Sequence, residues 1–351
     1  MKVLFVYSYL TLGGVETVLR ARLDGLAQWG IEAHAWFFHD LGGRSVFAGR
    51  EDRIHVGDCA ACLRFAARAG FGLLSSIDTP EALFARRERP MRLVVECHSP
   101  YLENVEYLRR LAPLDPAAVL VPSEHQRRVA LERTGPGVDV RVVPNPLRGE
   151  FTGEPLPFAV PPPRPVVAWI GRLDELKNWR GFVELGGALL RRGADAELWI
   201  AGKPVEPGLA ADLLERARAA GVLGRLKWFR GLPHHRIPAL LDAVRDSGGV
   251  VVSTSRGESF GMTVAEAMAR CCAVAVPDQP PFTEFVTDGE SGLTFPPGSA
   301  EGAAELVHSL LADAALRNRC GHQARESVLA RFAPEPALAA LARELRGLAE
   351  L

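Results

Sequence analysis

Two kinds of apolar spacing alternate along this chain. Short, nearly continuous runs of Val, Ile, Leu and Phe are separated by segments in which apolar positions recur every third or fourth residue. The first pattern suits a strand buried on both faces, and the second marks one face of a helix. KVLFVYS, EAHAWFF, GLLSSI, MRLVVEC, AAVLVPS and VDVRVVP predict the strands of the first half. Helices lie between most of them. One, from Val15, repeats apolar residues at Val18, Leu19, Leu23, Leu26 and Trp29 and stops at Gly30. At 153–165, GEPLPFAVPPPRP is too rich in proline for helix or central strand and reads as a stiff linker. Beyond it VVAWIG, AELWIAG, RLKWFRG, GGVVVST and CAVAVPD resume the alternation, and PEPALAALARELRGLAEL ends it as an amphipathic helix. No solenoid period is present.

Regular strand–helix alternation predicts parallel βαβ units, and 351 residues exceed one ordinary core. The expected fold class is α/β: two Rossmann-like, doubly wound domains, residues 1–150 and 151–335, facing across a cleft. Ligands in such folds bind at the carboxyl ends of the strands, which would line that cleft.

Composition narrows the partners. Hydrophobic residues make up 48% and charged ones 24%, a globular balance, and a net charge of −1 argues against nucleic acid as a partner. The start MKVLFVYSYL reads as a first strand and not a signal peptide, and no apolar stretch is long enough to span a bilayer. A cytoplasmic protein is expected, with membrane contact at most peripheral. The basic segments ARRERPMR (85–92) and EYLRRLAP (106–113) read as solvated faces. Cys59 and Cys62 have thiol-pair spacing, but no second pair completes a zinc site, so they read as small residues on a helix. Cys97, Cys271 and Cys272 fall in strand-like runs and are expected to be buried thiols.

Four strand ends carry candidate chemistry. Gly13 and Gly14 follow the first strand and open the first helix, either as a plain turn or as a turn presenting free N–H groups to an anion; the full dinucleotide fingerprint is missing. After VVAWIG, Gly171 is followed by Arg172 and Lys177, the latter one of four lysines in the chain. Together these two cations suit a diphosphate, although Asp174 and Glu175 between them offer internal partners. In GGVVVSTSRGESFGMTVAEAMARC a strand leads to a loop bearing Glu258 and then to a helix from Phe260 or Gly261. Glu266 falls on about the second turn and leans back toward the helix start, so both carboxylates can face one site with the N–H groups of Gly261, Met262 and Thr263. A phosphorylated, polyhydroxylated ligand would offset their desolvation; the plain alternative is a surface-facing Glu266. VVECHSPY delivers His98 to a strand end, Pro144 and Asn145 form a rigid turn, and Ser123 caps a helix.

In order, GGVETVL, VECHSPY, PSEHQRRV, VVPNP, IGRLDELKN, GESFGMTVAEAMA and FTEFVTDGESGLTFPPG resemble glycosyltransferase family 4, retaining sugar-nucleotide-dependent enzymes of the GT-B fold. The resemblance implies that Glu266 holds the nucleotide ribose, that Glu258 contacts donor-sugar hydroxyls, and that Arg172 and Lys177 bind the diphosphate and stabilise the leaving nucleotide. Gly13, Gly14, Gly171, Ser259, Phe260, Gly261, Met262 and Thr263 match donor-binding positions, and His98 matches a histidine beside the transferred sugar. It also implies that the C-terminal helix, 336–351, crosses back to the first domain. Pro146 stands where the family's Pro-Asn-Gly turn has glycine.

The implied activity is transfer of a sugar from a nucleotide-diphosphate donor, most often a UDP-sugar, to a hydroxyl of a glycan, lipid or small-molecule glycoside. No Asp-x-Asp metal motif occurs, so metal-independent, cofactor-free chemistry with front-face attack is expected. The alternatives are a GT-B nucleotide-sugar epimerase, a phosphorylase, which would need a pyridoxal lysine, and a non-catalytic nucleotide-sugar-binding subunit.

Overall fold

The computed structural model describes residues 1–85 and 91–350. The chain divides into two units, Met1–Gly149 with Arg331–Leu351, and Glu150–Ala330. Among the described residues unit 1 holds β1 (Lys2–Leu10), β2 (Glu32–Asp40), β3 (Ile54–Val56), β4 (Leu73–Ile77), β5 (Arg92–Glu96), β6 (Ala118–Val121) and β7 (Val140–Val142). Unit 2 holds β8 (Val166–Ile170), β9 (Glu197–Ala201), β10 (Leu226–Phe229), β11 (Val250–Val252), β12 (Ala273–Pro277) and β13 (Leu293–Phe295). The spatial orders are β3-β2-β1-β4-β5-β6-β7 and β10-β9-β8-β11-β12-β13, and all pairings are parallel. Each order reverses direction once, between β1 and β4 in unit 1 and between β8 and β11 in unit 2. That reversal leaves a crevice at the strands' carboxyl ends, the usual ligand position in doubly wound sheets. The α/β, doubly wound architecture is that expected from the alternation of spacings.

Burial on both faces explains why these strands read as continuous apolar runs. In β1, Val3 and Phe5 pack into one core while Leu4 and Val6 pack into the other. The helix Pro334–Glu350 covers the first of these faces with Leu338, Leu341, Leu345 and Leu348. Gly25 makes its close seat possible, because a Cβ there would lie 2.3 Å from Leu338 Cδ1. The helix expected from Val15 begins at Gly14, tightens into a 3₁₀ turn at Leu26–Trp29, and ends on Gly30 at φ 68°. β3 and β13 were not expected: each offers two apolar residues around a polar one and then Gly57 or Pro296, whereas the equally short β7 and β11 sit among valines.

The Pro-rich stretch is not a free spacer. Arg270 donates to the Gly153 carbonyl (3.1 Å), Arg245 to that of Leu156 (2.9 Å) and Arg325 to that of Thr152 (3.1 Å). Asp242, largely buried, holds both Arg245 (2.8 Å) and Arg270 (3.0 Å). Proline strips the segment of N–H donors, and arginines satisfy the carbonyls that no ladder can reach.

Cys59 and Cys62 lie on the helix Cys59–Arg68, and burial pushes the Cys62 thiol up to about 12. Cys97 and Cys272 are buried, but Cys271 is half-exposed at φ 60° in the turn before β12, outside the strand expected to contain it. Most of ARRERPMR lies outside the described residues. In EYLRRLAP, Arg109 pairs with Glu106 (2.7 Å) on an exposed face. No helix among the described residues is long and apolar enough to cross a membrane.

Two stability predictions follow from these contacts. Asp242→Ala leaves two guanidinium groups short of their buried partner, so unit 2 loses about 3–5 kcal/mol, read as a lowered urea midpoint. In unit 1, His34 Nδ1 and His55 Nε2 lie 3.0 Å apart in a slot walled by Trp36, Phe65 and Phe71. Burial lowers the pKa of both rings, and the neighbouring His34 lowers that of His55 further. The folded state therefore favours the neutral pair. As pH falls through about 6.5 the unfolded chain takes up protons first, so stability present above that pH is lost below it. His55→Phe should flatten the dependence of the urea midpoint between pH 8 and 5.

Candidate active site

At the β8/β11 reversal the loops after both strands are tied to each other before they present anything to a ligand. Asn178 caps the helix Trp179–Arg191 by accepting from Gly181 N–H, and it does so in a left-handed conformation, φ 53°. Its amide donates to the Thr254 carbonyl (3.0 Å), while the Thr254 hydroxyl donates to the Asn178 carbonyl (2.8 Å). Trp169 Nε1 bonds the same hydroxyl (3.1 Å). The backbone of Lys177 is fixed by its N–H to Asp174 Oδ1 (2.8 Å).

This scaffold brings Lys177 Nζ to 2.6 Å from Glu258 Oε1, and Ser255 Oγ donates to the same oxygen at 2.9 Å. Arg172 lies more than half exposed beside Asp174 (3.2 Å). Glu175 pairs instead with Arg180, so one of the two internal acids takes one of the two predicted cations. A recess with room for about one water runs between Trp169, Ser255, Glu258, Gly261 and Thr263. Gly261 precedes the helix Met262–Ala269 at φ 95°, where a Cβ would meet Phe282 at 2.9 Å. Only glycine suits that backbone and that space. No side chain caps this helix, so its first N–H groups stay available to a ligand. Ser259 and Phe260 lead into the turn, and Phe260 is buried against Phe285. Gly171 packs under Trp169, and its carbonyl lies where a Cβ on Gly202 would be, which keeps the β8 and β9 loops in contact.

Glu266 is buried and does not share the Lys177 pair. Its Oε1 lies 3.2 Å from His234 Nε2, and His234 Nδ1 lies 3.6 Å from Glu150. Phe151, fully buried, packs against the same imidazole with ring centroids 5.3 Å apart.

The remaining sequence candidates lie in unit 1. Gly13 is the N-cap of the first helix, and a Cβ there would come within 2.8 Å of Glu16 Oε2. Glu16, buried, accepts from both the N–H and the hydroxyl of Thr11, so an internal carboxylate already stands at this turn. Burial raises its pKa against those bonds. Gly14 faces open space. His98 is buried after β5, with Nε2 2.9 Å from Glu96 Oε2. Glu96 also accepts from Arg22 (2.8 Å) and Ser75 (2.6 Å).

The sequence reading missed His234, Thr254, Ser255, Arg22, Glu96 and Asp78. A signal existed for one of them. Glu96 interrupts the apolar run VVEC, and a carboxylate cannot remain in a buried strand without a cation nearby. Ser255 lies only three residues from Glu258, but the rest act through partners distant in sequence, which spacing cannot reveal. Among the described residues no three His, Cys, Asp or Glu side chains are grouped to hold a metal ion.

Residues 157–327 match the model of the family described as glycosyl transferases group 1. Alpha-D-kanosaminyltransferase of Streptomyces kanamyceticus is 30% identical over 52% of this chain and 46% of its own length. D-inositol 3-phosphate glycosyltransferase of Nocardia farcinica is 26% identical over 84% and 61%. The chain thus spans about half the length of the curated relatives it matches. Anabaena HepE, solved in complex with UDP and glucose, superposes with a TM-score of 0.83 over 99% of this chain and all of its own, at 19% identity. Staphylococcus aureus TarM gives 0.82 at 12% identity. At such identities the likeness establishes the fold, two Rossmann-like domains of the GT-B class, and the matched segment 157–327 contains Arg172, Lys177, Glu258 and Glu266. Over residues 157–327, just under half of its length, the chain is similar to the glycosyl transferases group 1 family.

Proposed function

We propose that the protein is a retaining glycosyltransferase that moves a sugar from a nucleotide-diphosphate donor to a hydroxyl acceptor on a glycan, lipid or small-molecule glycoside, without a metal ion or other cofactor. The carrying observation is the Lys177–Glu258 pair at the β8/β11 reversal, beside an uncapped helix start and the exposed Arg172. A diphosphate takes Lys177 and Arg172, and its remaining oxygens take the free N–H groups of Met262 and Thr263. Glu258, released from the lysine, accepts from sugar hydroxyls. Glu266, with His234 behind it, accepts from the ribose diol. UDP, present in the HepE structures, is the nucleotide we assign.

In the reaction the bond from the anomeric carbon to the diphosphate oxygen breaks, and a bond from that carbon to the acceptor oxygen forms on the same face. The acceptor's proton passes to the departing phosphate oxygen. Negative charge grows on that oxygen, and Arg172, Lys177 and the amide dipoles are already in place to receive it. Glu266 belongs to the ribose, so the two glutamates are not a hydrolase pair. We place the reaction in the cytoplasm, where sugar nucleotides are made.

Glu266→Ala should weaken UDP binding about tenfold, the loss of a charged hydrogen bond, by titration calorimetry. Lys177→Ala should lower kcat by about 10²-fold with a smaller change in donor KM. Unchanged constants in both variants would refute the assignment. A thermal-shift panel of sugar nucleotides, with and without magnesium, identifies the donor; a shift that requires magnesium would overturn the metal-free mechanism.

A further inference from the structure

Beneath the carboxyl ends of β4 and β5 lies a group of polar side chains that the apolar pattern of unit 1 does not call for. Arg22, Ser75 and Glu96 are at most 1% exposed, and His98 is 8% exposed. Glu96 is the hub. One oxygen accepts from Arg22 and Ser75, and the other lies 2.8 Å from Arg22 and 2.9 Å from His98 Nε2. The main chain of His98 is held separately: its N–H donates to Asp78 Oδ2 at 2.8 Å, and the Tyr107 hydroxyl donates to the other Asp78 oxygen at 3.1 Å. Asp78 adopts φ 41°, a left-handed conformation that costs a non-glycine residue energy, at the one place where its carboxylate can reach that N–H. Both the ring and the backbone of one histidine are thus clamped, and each clamp requires a buried carboxylate.

Burial alone would raise the Glu96 carboxyl, but the Arg22 guanidinium and the His98 ring pull it well below the usual carboxylate range. It is ionised at neutral pH and can only accept hydrogen bonds. The hydrogen on the neutral imidazole must then sit on Nε2, which leaves the lone pair on Nδ1.

We propose that Glu96 is a positioning residue that fixes His98 in its Nε2–H tautomer, so that Nδ1 meets the substrate as a hydrogen-bond acceptor for a sugar or acceptor hydroxyl. This rests on the transferase reading for the identity of the ligand, but the tautomer stands on the unliganded protein alone. It also excludes a role in which neutral His98 donates to an oxygen of the substrate. A carboxylate that orients a histidine and sets its tautomer is a general device for making one ring nitrogen do one task.

The test begins with the unsubstituted full chain. Nitrogen NMR of its histidine rings at pH 8, with His98 assigned through His98→Gln, should show a pyrrole-type Nε2 and a pyridine-type Nδ1. The opposite pattern, or an even mixture, would overturn the proposal without bearing on the transferase assignment. Glu96→Gln removes the purely accepting partner, so the His98 signals should move toward a mixture of tautomers. With the donor identified, its kcat should fall roughly ten- to a hundredfold while donor KM stays within about twofold. A Glu96→Gln protein that keeps both the tautomer and kcat would also sink the idea. If that variant does not fold, the spectrum of the unsubstituted chain decides the matter by itself.

Discussion

Lys177 and Glu258 are 81 residues apart in sequence and 2.6 Å apart in the fold, and the proposed site in unit 2 is organised around their meeting. Neither charge is far from solvent, yet neither is free of the protein, so each needs a partner in the absence of ligand. By pairing, they keep a cation and an anion side by side at the mouth of an uncapped helix. A sugar diphosphate offers the same two complements at once, phosphate oxygens for the lysine and hydroxyls for the glutamate. Exchange of partners therefore costs less than desolvating either group afresh. A ligand offering only one of the two leaves the other charge stranded, which favours the complete donor over its fragments.

The two units treat charge in opposite ways. In unit 2 Arg172 and Lys177 are partly exposed and lie beside acids, Asp174 and Glu258, whose place a ligand can take. In unit 1 Glu96 is closed off by Arg22, Ser75 and His98, and burial pushes Asp78 up to about 6 against the pull of His98 and its N–H. Such a network cannot exchange partners cheaply, because each member removed leaves another unsatisfied in a low-dielectric interior. Exchangeable charge suits binding and release, and locked charge suits orientation.

The strands were legible because parallel sheets bury both faces, and the run of apolar residues that this demands survives any later detail. Gly261 and Lys177 were legible for a different reason: a left-handed turn admits little but glycine, and a lysine in a chain with so few stands out. Glu16 shows where local reading stops. Its segment GGVETVL reads either as a plain turn or as a turn open to an anion, and spacing alone does not show that Glu16 folds back to accept from Thr11. β3 and β13 escaped because two apolar residues closed off by Gly57 or Pro296 make no run, whereas the equally short β7 and β11 sit among valines. Thr254, Arg22 and His234 escaped because their meaning lies in partners 76, 74 and 32 residues away.

His234 also ties stability to the site. The arginines that fasten the Pro-rich stretch to unit 2 hold the residues just after Phe151, and Phe151 and Glu150 flank the imidazole that lies against Glu266. Those arginines supply the donors that fix the path of backbone which proline keeps out of any ladder, directly after Glu150 and Phe151. The carboxylate assigned to the ribose is thus steadied from a segment that sequence reading treats as a spacer. A stretch with no secondary structure of its own is exact in position because charged side chains, and not a sheet, satisfy its carbonyls. The surroundings of Glu266 consequently depend on Asp242 and Arg270, which touch no ligand.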